Sequence, residues 1–287
     1  MKIENKILAC VDQSPFANFV ADYAAWAALR LHAPLEFLHV IDRHPEIGSG
    51  EDHSGAIGFD AQEALLTKLS EQDAARTKAE REQARLFLNG LRKRAIAAGV
   101  ESPDVRQRHG NLEETLVEQA PGVRLYVLGR RGESAETTQR DLGRNVERVV
   151  RALQKPILTV TDNFREPRRA MIAFDGGAAT RRAVQFVATG PLFRGLPVHL
   201  LMSGKQTQDA AKQLDWAKET LEKAGFQAPA SLVPGDAESV IARTVQDQEI
   251  DLLIMGAYAH SPLRSLIFGS TTTDLLRSSK IPTLLIR

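Results

Sequence analysis

A chain of 287 residues has room for one large or two ordinary domains, and 43% apolar with 25% charged residues describes a globular protein with a sizeable core. A net charge of +1 argues against nucleic-acid binding through a strongly basic surface, and a single cysteine excludes an intrachain disulfide framework. No apolar run reaches membrane-spanning length and the polar start, Met1–Lys6, lacks a signal-peptide core, so a cytoplasmic protein with neither nucleic acid nor membrane as partner is expected.

Ile7–Asp12 reads as an apolar strand ending in a carboxylate, with Cys10 a buried, inert thiol. Ser14-Pro15 predicts an N-cap and a first-turn proline for a helix in which Phe16, Phe19, Val20, Tyr23, Ala24, Ala27 and Leu31 recur at helical spacing. Leu35–Ile41 is a second strand. His44–Phe59, rich in glycine and charge, reads as a mobile loop and the first point of proteolysis. Ala61–Ala98 is helical and heavily charged, with one apolar group at Leu65, Leu66 and Leu69 and another at Leu86, Phe87, Leu91 and Ile96. Unbroken, that helix would span roughly 55 Å, so a bend is expected between the groups. A strand over Asp104–Arg108, a helix over Asn111–Gln119, a strand over Leu125–Leu128, a loop over Gly129–Gly143, a helix over Asn145–Leu153 and a strand over Pro156–Val160 follow.

After a polar linker, Thr161–Arg169, the order repeats. Ala170–Asp175 matches the first strand and again ends in aspartate; Pro234–Glu238 matches His109–Glu113; Asp251–Gly256 matches Arg124–Gly129; Ile281–Ile286 matches Lys155–Val160. The expected fold is α/β, two tandem doubly wound, Rossmann-like domains over residues 1–162 and 168–287, each a parallel five-stranded sheet with helices on both faces. Ligands of such sheets sit beyond the carboxyl ends of the strands, where Asp12, Asp175, Gly129 and Gly256 fall.

The stretch Met255–Thr271 organises this reading. The strand Leu252–Met255 ends at Gly256, a polar loop follows, and Gly269 with Ser270 and Thr271 opens a short helix. Free N–H groups of a helix's first turn and two hydroxyls make an anion site from little side-chain bulk. An ordinary strand–loop–helix connection with an N-cap serine explains the same residues equally well. Arg264 could reach a phosphate or simply lie exposed in the loop.

Over nearly all its length the chain resembles the tandem universal stress proteins. In the nucleotide-binding members a glycine ends the fourth strand, another lies three residues on, and Gly-Ser or Gly-Thr follows after nine more. The second half places Gly256, Ala259 and Gly269-Ser270 there, departing from the pattern only at Ala259. The resemblance implies an adenine nucleotide alpha hydrolase-like fold and a bound ATP or AMP, with or without Mg2+. It places Asp175 near the ribose or phosphates and the main chain of Met202 and Ser203 at the adenine. It also implies that the last strands of the two domains meet across a pseudo-twofold axis, as one internal pseudo-dimer or as the same contact in a homodimer. In the first half Gly129 and Gly132 keep the spacing, but Gly143 arrives one residue late and Arg144-Asn145 stands where a hydroxyl should follow. Asp12, Gly129, Gly132 and Gly143 therefore make a weaker site, an arginine filling the pocket being the simpler reading.

Other chemistry has little support. His39, His109 and His260 show no metal-ligand spacing, and neither a P-loop nor a Gly-x-Ser-x-Gly elbow is present. Trp26 and Trp216 read as packing residues. A nucleotide-binding or signalling module with an unknown protein partner is expected. A slow ATP hydrolase, and an interaction protein that binds no nucleotide and uses the charged helix Ala74–Ala98 as its partner surface, stay open.

Overall fold

A computed structural model describes residues 5–41, 78–79, 81–130, 144–161, 163–257 and 279–287. The expected loop at His44–Phe59 and the apolar group at Leu65, Leu66 and Leu69 lie outside them. The first half contains β1 (Lys6–Cys10), α1 (Ala17–Leu31), β2 (Leu35–Ile41), α2 (81–97), β3 (Asp104–His109), α3 (Leu112–Gln119), β4 (Val123–Gly129), α4 (Arg144–Ala152) and β5 (Ile157–Val160). The second contains β6 (Ala170–Ala173), α5 (Ala178–Thr189), β7 (Val198–Ser203), α6 (Gln208–Lys223), β8 (Ala230–Val233), α7 (Ala237–Asp247), β9 (Leu252–Gly256) and β10 (Thr283–Ile286).

The strands form a single ten-stranded sheet in the order β3-β2-β1-β4-β5-β10-β9-β6-β7-β8. Within each half every pairing is parallel, and the halves join where β5 and β10 run antiparallel, Thr159 facing Thr283. The Thr159 hydroxyl, fully buried, donates to the Thr283 carbonyl at 3.1 Å. Two apolar edges that would each invite a foreign strand thus cover one another.

Alternation along the strands sorts the core onto the two faces. Ile7, Ala9, Leu125, Val127, Ile172 and Ile254 turn toward α1, α2, α5 and α6, while Leu8, Tyr126, Met171 and Leu253 turn toward α3, α4 and α7. Strands covered on both sides favour apolar residues on both faces, which is why β6 and β9 read as unbroken runs.

Two local expectations are corrected. Ser14 does not cap α1: its hydroxyl donates back to Asp12 Oδ1 and its carbonyl accepts from Ala17 N, so a turn intervenes and the helix begins at Ala17. On α2 the buried stripe is Ala84, Leu88, Leu91 and Ala95, spaced by four, three and four, whereas Leu86 and Ile96 point to solvent. The forked pair from Arg94 to Asp22, at 2.6 and 2.9 Å, ties α2 to α1.

The linker crosses from β5 to β6 against α1. Phe164 packs edge-on to Tyr23 with ring centroids 4.8 Å apart, Pro167 is buried, and Asp251 Oδ2 accepts the N–H groups of Arg168 and Arg169 at 2.9 and 3.0 Å. Among the described residues no helix is long and apolar enough to cross a membrane.

Candidate functional site

In the second half the carboxyl ends of β9, β6 and β7 lie side by side and bring Gly256, Asp175, Met202 and Ser203 to one edge of the sheet. Phe174 extends β6 by one rung, its N–H meeting Leu201 O at 2.8 Å, and the chain then turns on Asp175. Asp175 Oδ1 accepts Gly177 N–H at 2.8 Å and the Thr180 hydroxyl at 2.6 Å, a side chain closing its own turn. Asp175 is exposed, and its Oδ2 makes no hydrogen bond among the described residues. Gly176 holds φ +76°, a conformation that disfavours a Cβ.

Gly256 has a packing role independent of any ligand. A Cβ there would stand 2.9 Å from the Cβ of Ala179 and 3.1 Å from Cγ2 of Thr180, so its absence lets the first turn of α5 lie over the end of β9. Thr180 thereby links the two predicted residues, its hydroxyl on Asp175 and its methyl against Gly256. Met202 is buried toward α5 and α6, leaving its main chain and half-buried Ser203 at the strand end. Beyond them Gly204 turns away with φ +130°.

Four residues around this turn were not singled out as site residues by the sequence. Arg181 Nε donates to Gly176 O at 2.9 Å, and its guanidinium stands 4.7 Å from the centre of the Trp216 ring. Trp216 stacks on Phe174 at 6.4 Å, and Gln213 on the same helix lies over Gly176. The Gly176-Gly177 pair directly after an aspartate was the available signal; the contacts from α6 had none.

The first half repeats the turn with different surroundings. Asp12 Oδ1 accepts Ser14 N–H at 3.2 Å as well as its hydroxyl. At the position of Met202 stands His39, buried, with Nδ1 donating to Val11 O at 2.9 Å and its ring edge-on to Phe87 of α2. Gln83 of α2 donates to Gln13 at 3.1 Å across the same opening. Arg130, next after Gly129, is buried and sends its guanidinium to the carbonyls of Ser279 and of Ile281, the latter at 2.9 Å. Burial, with Glu36 nearby, pushes the Cys10 thiol well up, so it is no nucleophile. Ala259, Gly269, Ser270 and Thr271 in the second half, and Gly132 and Gly143 in the first, lie outside the described residues, as does His260.

The universal stress protein family pattern matches residues 4–161 and again 167–287. The chain belongs to the universal stress protein family. It is 37% identical over 284 residues to universal stress protein Slr1230 of Synechocystis sp., an alignment covering 98% of this chain and 99% of that one. Its fold resembles that of a universal stress protein from Archaeoglobus fulgidus DSM 4304, with TM-score 0.73 and 17% identity over 99% of this chain and 98% of the other. A functionally unknown protein of Pseudomonas aeruginosa PAO1 has the same general fold, with TM-score 0.58 and 17% identity over 98% and 92% of the two chains. Both likenesses concern architecture, since identity is low. In this universal stress protein the repeat seen in the sequence is thus a repeat of the family's own unit.

Proposed function

We propose that this universal stress protein binds an adenine nucleotide, ATP or AMP, mainly through its second half, and acts in the cytoplasm as a binding or signalling module. The observation that carries this reading is the exposed Asp175 Oδ2, without a protein partner among the described residues, beside the bare backbone of Gly256. A carboxylate held rigid through one oxygen and open at the other suits the paired hydroxyls of a ribose. The main chain at Met202 and Ser203 would meet the base, and Ala259 and Gly269–Thr271 the phosphates, with Mg2+ an optional companion to them. In the first half His39, the Gln13–Gln83 pair and Arg130 occupy or divert the corresponding groups, which favours a weaker site or none. We read residues 1–162 and 168–287 as the two domains and the β5–β10 joint as the axis of an internal pseudo-dimer.

Calorimetric titration with ATP and AMP tests this. Asp175→Ala, Gly269→Val and Ser270→Ala should each weaken binding by roughly tenfold or more, since hydrogen bonds to charged groups contribute about 1.5–3 kcal/mol. Gly143→Val should leave the affinity unchanged. Equal losses from Gly143→Val and Gly269→Val would overturn the ranking of the halves, and ADP appearing during incubation with ATP would assign a slow hydrolase instead.

A further inference from the structure

A cleft of about 560 Å3 opens between the linker, α1 and the segments that lead into β9 and β10. It lies at the amino ends of the second half's strands, the opposite end from Asp175 and Gly256. Its volume falls in the range of small-molecule sites. The charges on its walls are uneven. Arg169 is matched by Glu249 at 3.1 Å, and Asp251 gives Oδ2 to the main-chain N–H groups of Arg168 and Arg169. Arg165 and Arg168 on the linker and Lys280 ahead of β10 make no ion pair among the described residues. With Arg169 paired to Glu249, the three cations Arg165, Arg168 and Lys280 stand against the one remaining carboxylate, Asp251, so the cleft carries a net charge of +2.

The backbone that carries them is fixed. Phe164 is packed on Tyr23, Arg165 N–H reaches the Tyr23 hydroxyl at 3.4 Å, and Arg168 is tied through its own N–H to Asp251. A ligand would therefore order side chains only, not the linker itself, which lowers the entropy lost on binding. Burial pushes the Tyr23 hydroxyl above its ordinary range, so it adds no negative charge to the cleft. Guanidinium forks match the oxygens of a phosphate in pairs, and an ammonium on the opposite wall adds a point charge.

We propose that this cleft is a second ligand site, separate from the nucleotide edge, that takes a small phosphorylated anion. A single carboxylate would leave half of that net charge unanswered, whereas a phosphate or diphosphate brings two or more negative charges within reach of both walls. The site does not depend on the nucleotide reading and uses none of its residues.

Pyrophosphate, titrated calorimetrically into the full chain at fixed ionic strength, is the probe. One saturable site is expected, weakened at least tenfold in the double variant Arg165→Ala/Arg168→Ala, several-fold in Lys280→Ala, and unchanged in Gly269→Val. Arg165, Arg168 and Lys280 are exposed, and circular dichroism checks that the variants fold. Absence of saturable binding, or an undiminished affinity in the double variant, would overturn the proposal. So would loss in Gly269→Val with the arginine variant unaffected, because the anion would then sit at the nucleotide edge.

Discussion

Gly256→Ala separates the two reasons for a glycine at the end of β9. If the residue is there only so that a phosphate can come close, alanine should leave stability alone and harm binding. The packing geometry says otherwise. The new methyl would lie 2.9 Å from Ala179 Cβ, 3.1 Å from Thr180 Cγ2 and 3.4 Å from Thr180 N, against helix atoms that cannot swing aside. Inserting a methyl into such a contact costs about 1–3 kcal/mol. Replacing a strand glycine returns roughly 0.5–1 kcal/mol of chain entropy, so a net loss near 1–2 kcal/mol is expected. For a chain of this size that lowers Tm by about 2–8 °C. Urea and thermal unfolding without nucleotide should show it, and Ala179→Gly should recover part of the loss when combined with Gly256→Ala, despite its own cost in a helix of about 1 kcal/mol. An additive double-mutant cycle, or a Gly256→Ala protein as stable as the parent, would refute the packing argument and return Gly256 to the ligand alone.

Burial lowers the pKa of His199, whose Nε2 lies 2.8 Å from the Ser231 hydroxyl. The unfolded chain then binds a proton that the folded one refuses, so this residue's stability contribution is present above about pH 6.5 and lost as pH falls below it. His199→Gln should flatten Tm between pH 6.5 and 5 relative to the parent; superimposable profiles would rule the effect out. Lys6 and Glu36 form a buried pair at 2.9 Å, supported by Gln119 at 3.1 Å and by Arg106 at 3.4 Å. Lys6→Met strands the carboxylate and should cost about 3 kcal/mol in urea unfolding, most of it regained in Lys6→Met/Glu36→Leu. Neutral behaviour of the single variant would show that Arg106 suffices.

What could be read from the chain follows from which interactions are local. β2 was placed to the residue because five of its seven positions are apolar, Glu36 and His39 being the exceptions, and polar turns bound it. The repeat was legible for the same reason, and Asp175 and Gly256 stood out because they end such runs. Asn111 as the start of α3 was legible too, since its side chain caps Glu114 N–H at 3.2 Å within its own turn. Ser14 misled because its side chain turns back to Asp12, two residues away, and its carbonyl accepts Ala17 N–H in a turn, so the helix starts three residues later. On α2, apolar residues on adjacent positions fit two stripes, and only packing against α1 chooses Leu88 over Leu86. Arg181, Gln213 and Trp216 come to the Asp175 turn from helices whose facing depends on the whole fold, so no spacing within the chain announces them.

The joint between the halves supplies a physical reason for the unequal affinities proposed for them. Each half sends one guanidinium across to main-chain carbonyls near the last strand of the other. Arg130 serves Ser279 and Ile281, ahead of β10, while Arg287 serves Arg151 and Leu153 at the carboxyl end of α4, where a helix's unpaired carbonyls and dipole favour a cation. The contacts are related by the pseudo-symmetry, but the residues that make them are not. Arg130 follows β4, where its counterpart after β9 is the small, buried Ala257; Arg287 follows β10, where the counterpart after β5 is Thr161. The first half has therefore committed the residue next to its site glycine to holding the molecule together. The second half draws the equivalent support from a residue beyond β10, which lies two strands away from Asp175's strand in the sheet. A duplicated sheet can divide two tasks this way: in one copy the residue after the fourth-strand glycine, Arg130, is tied into the seam, and in the other that residue is the small Ala257, near an exposed Asp175 whose Oδ2 is left open among the described residues.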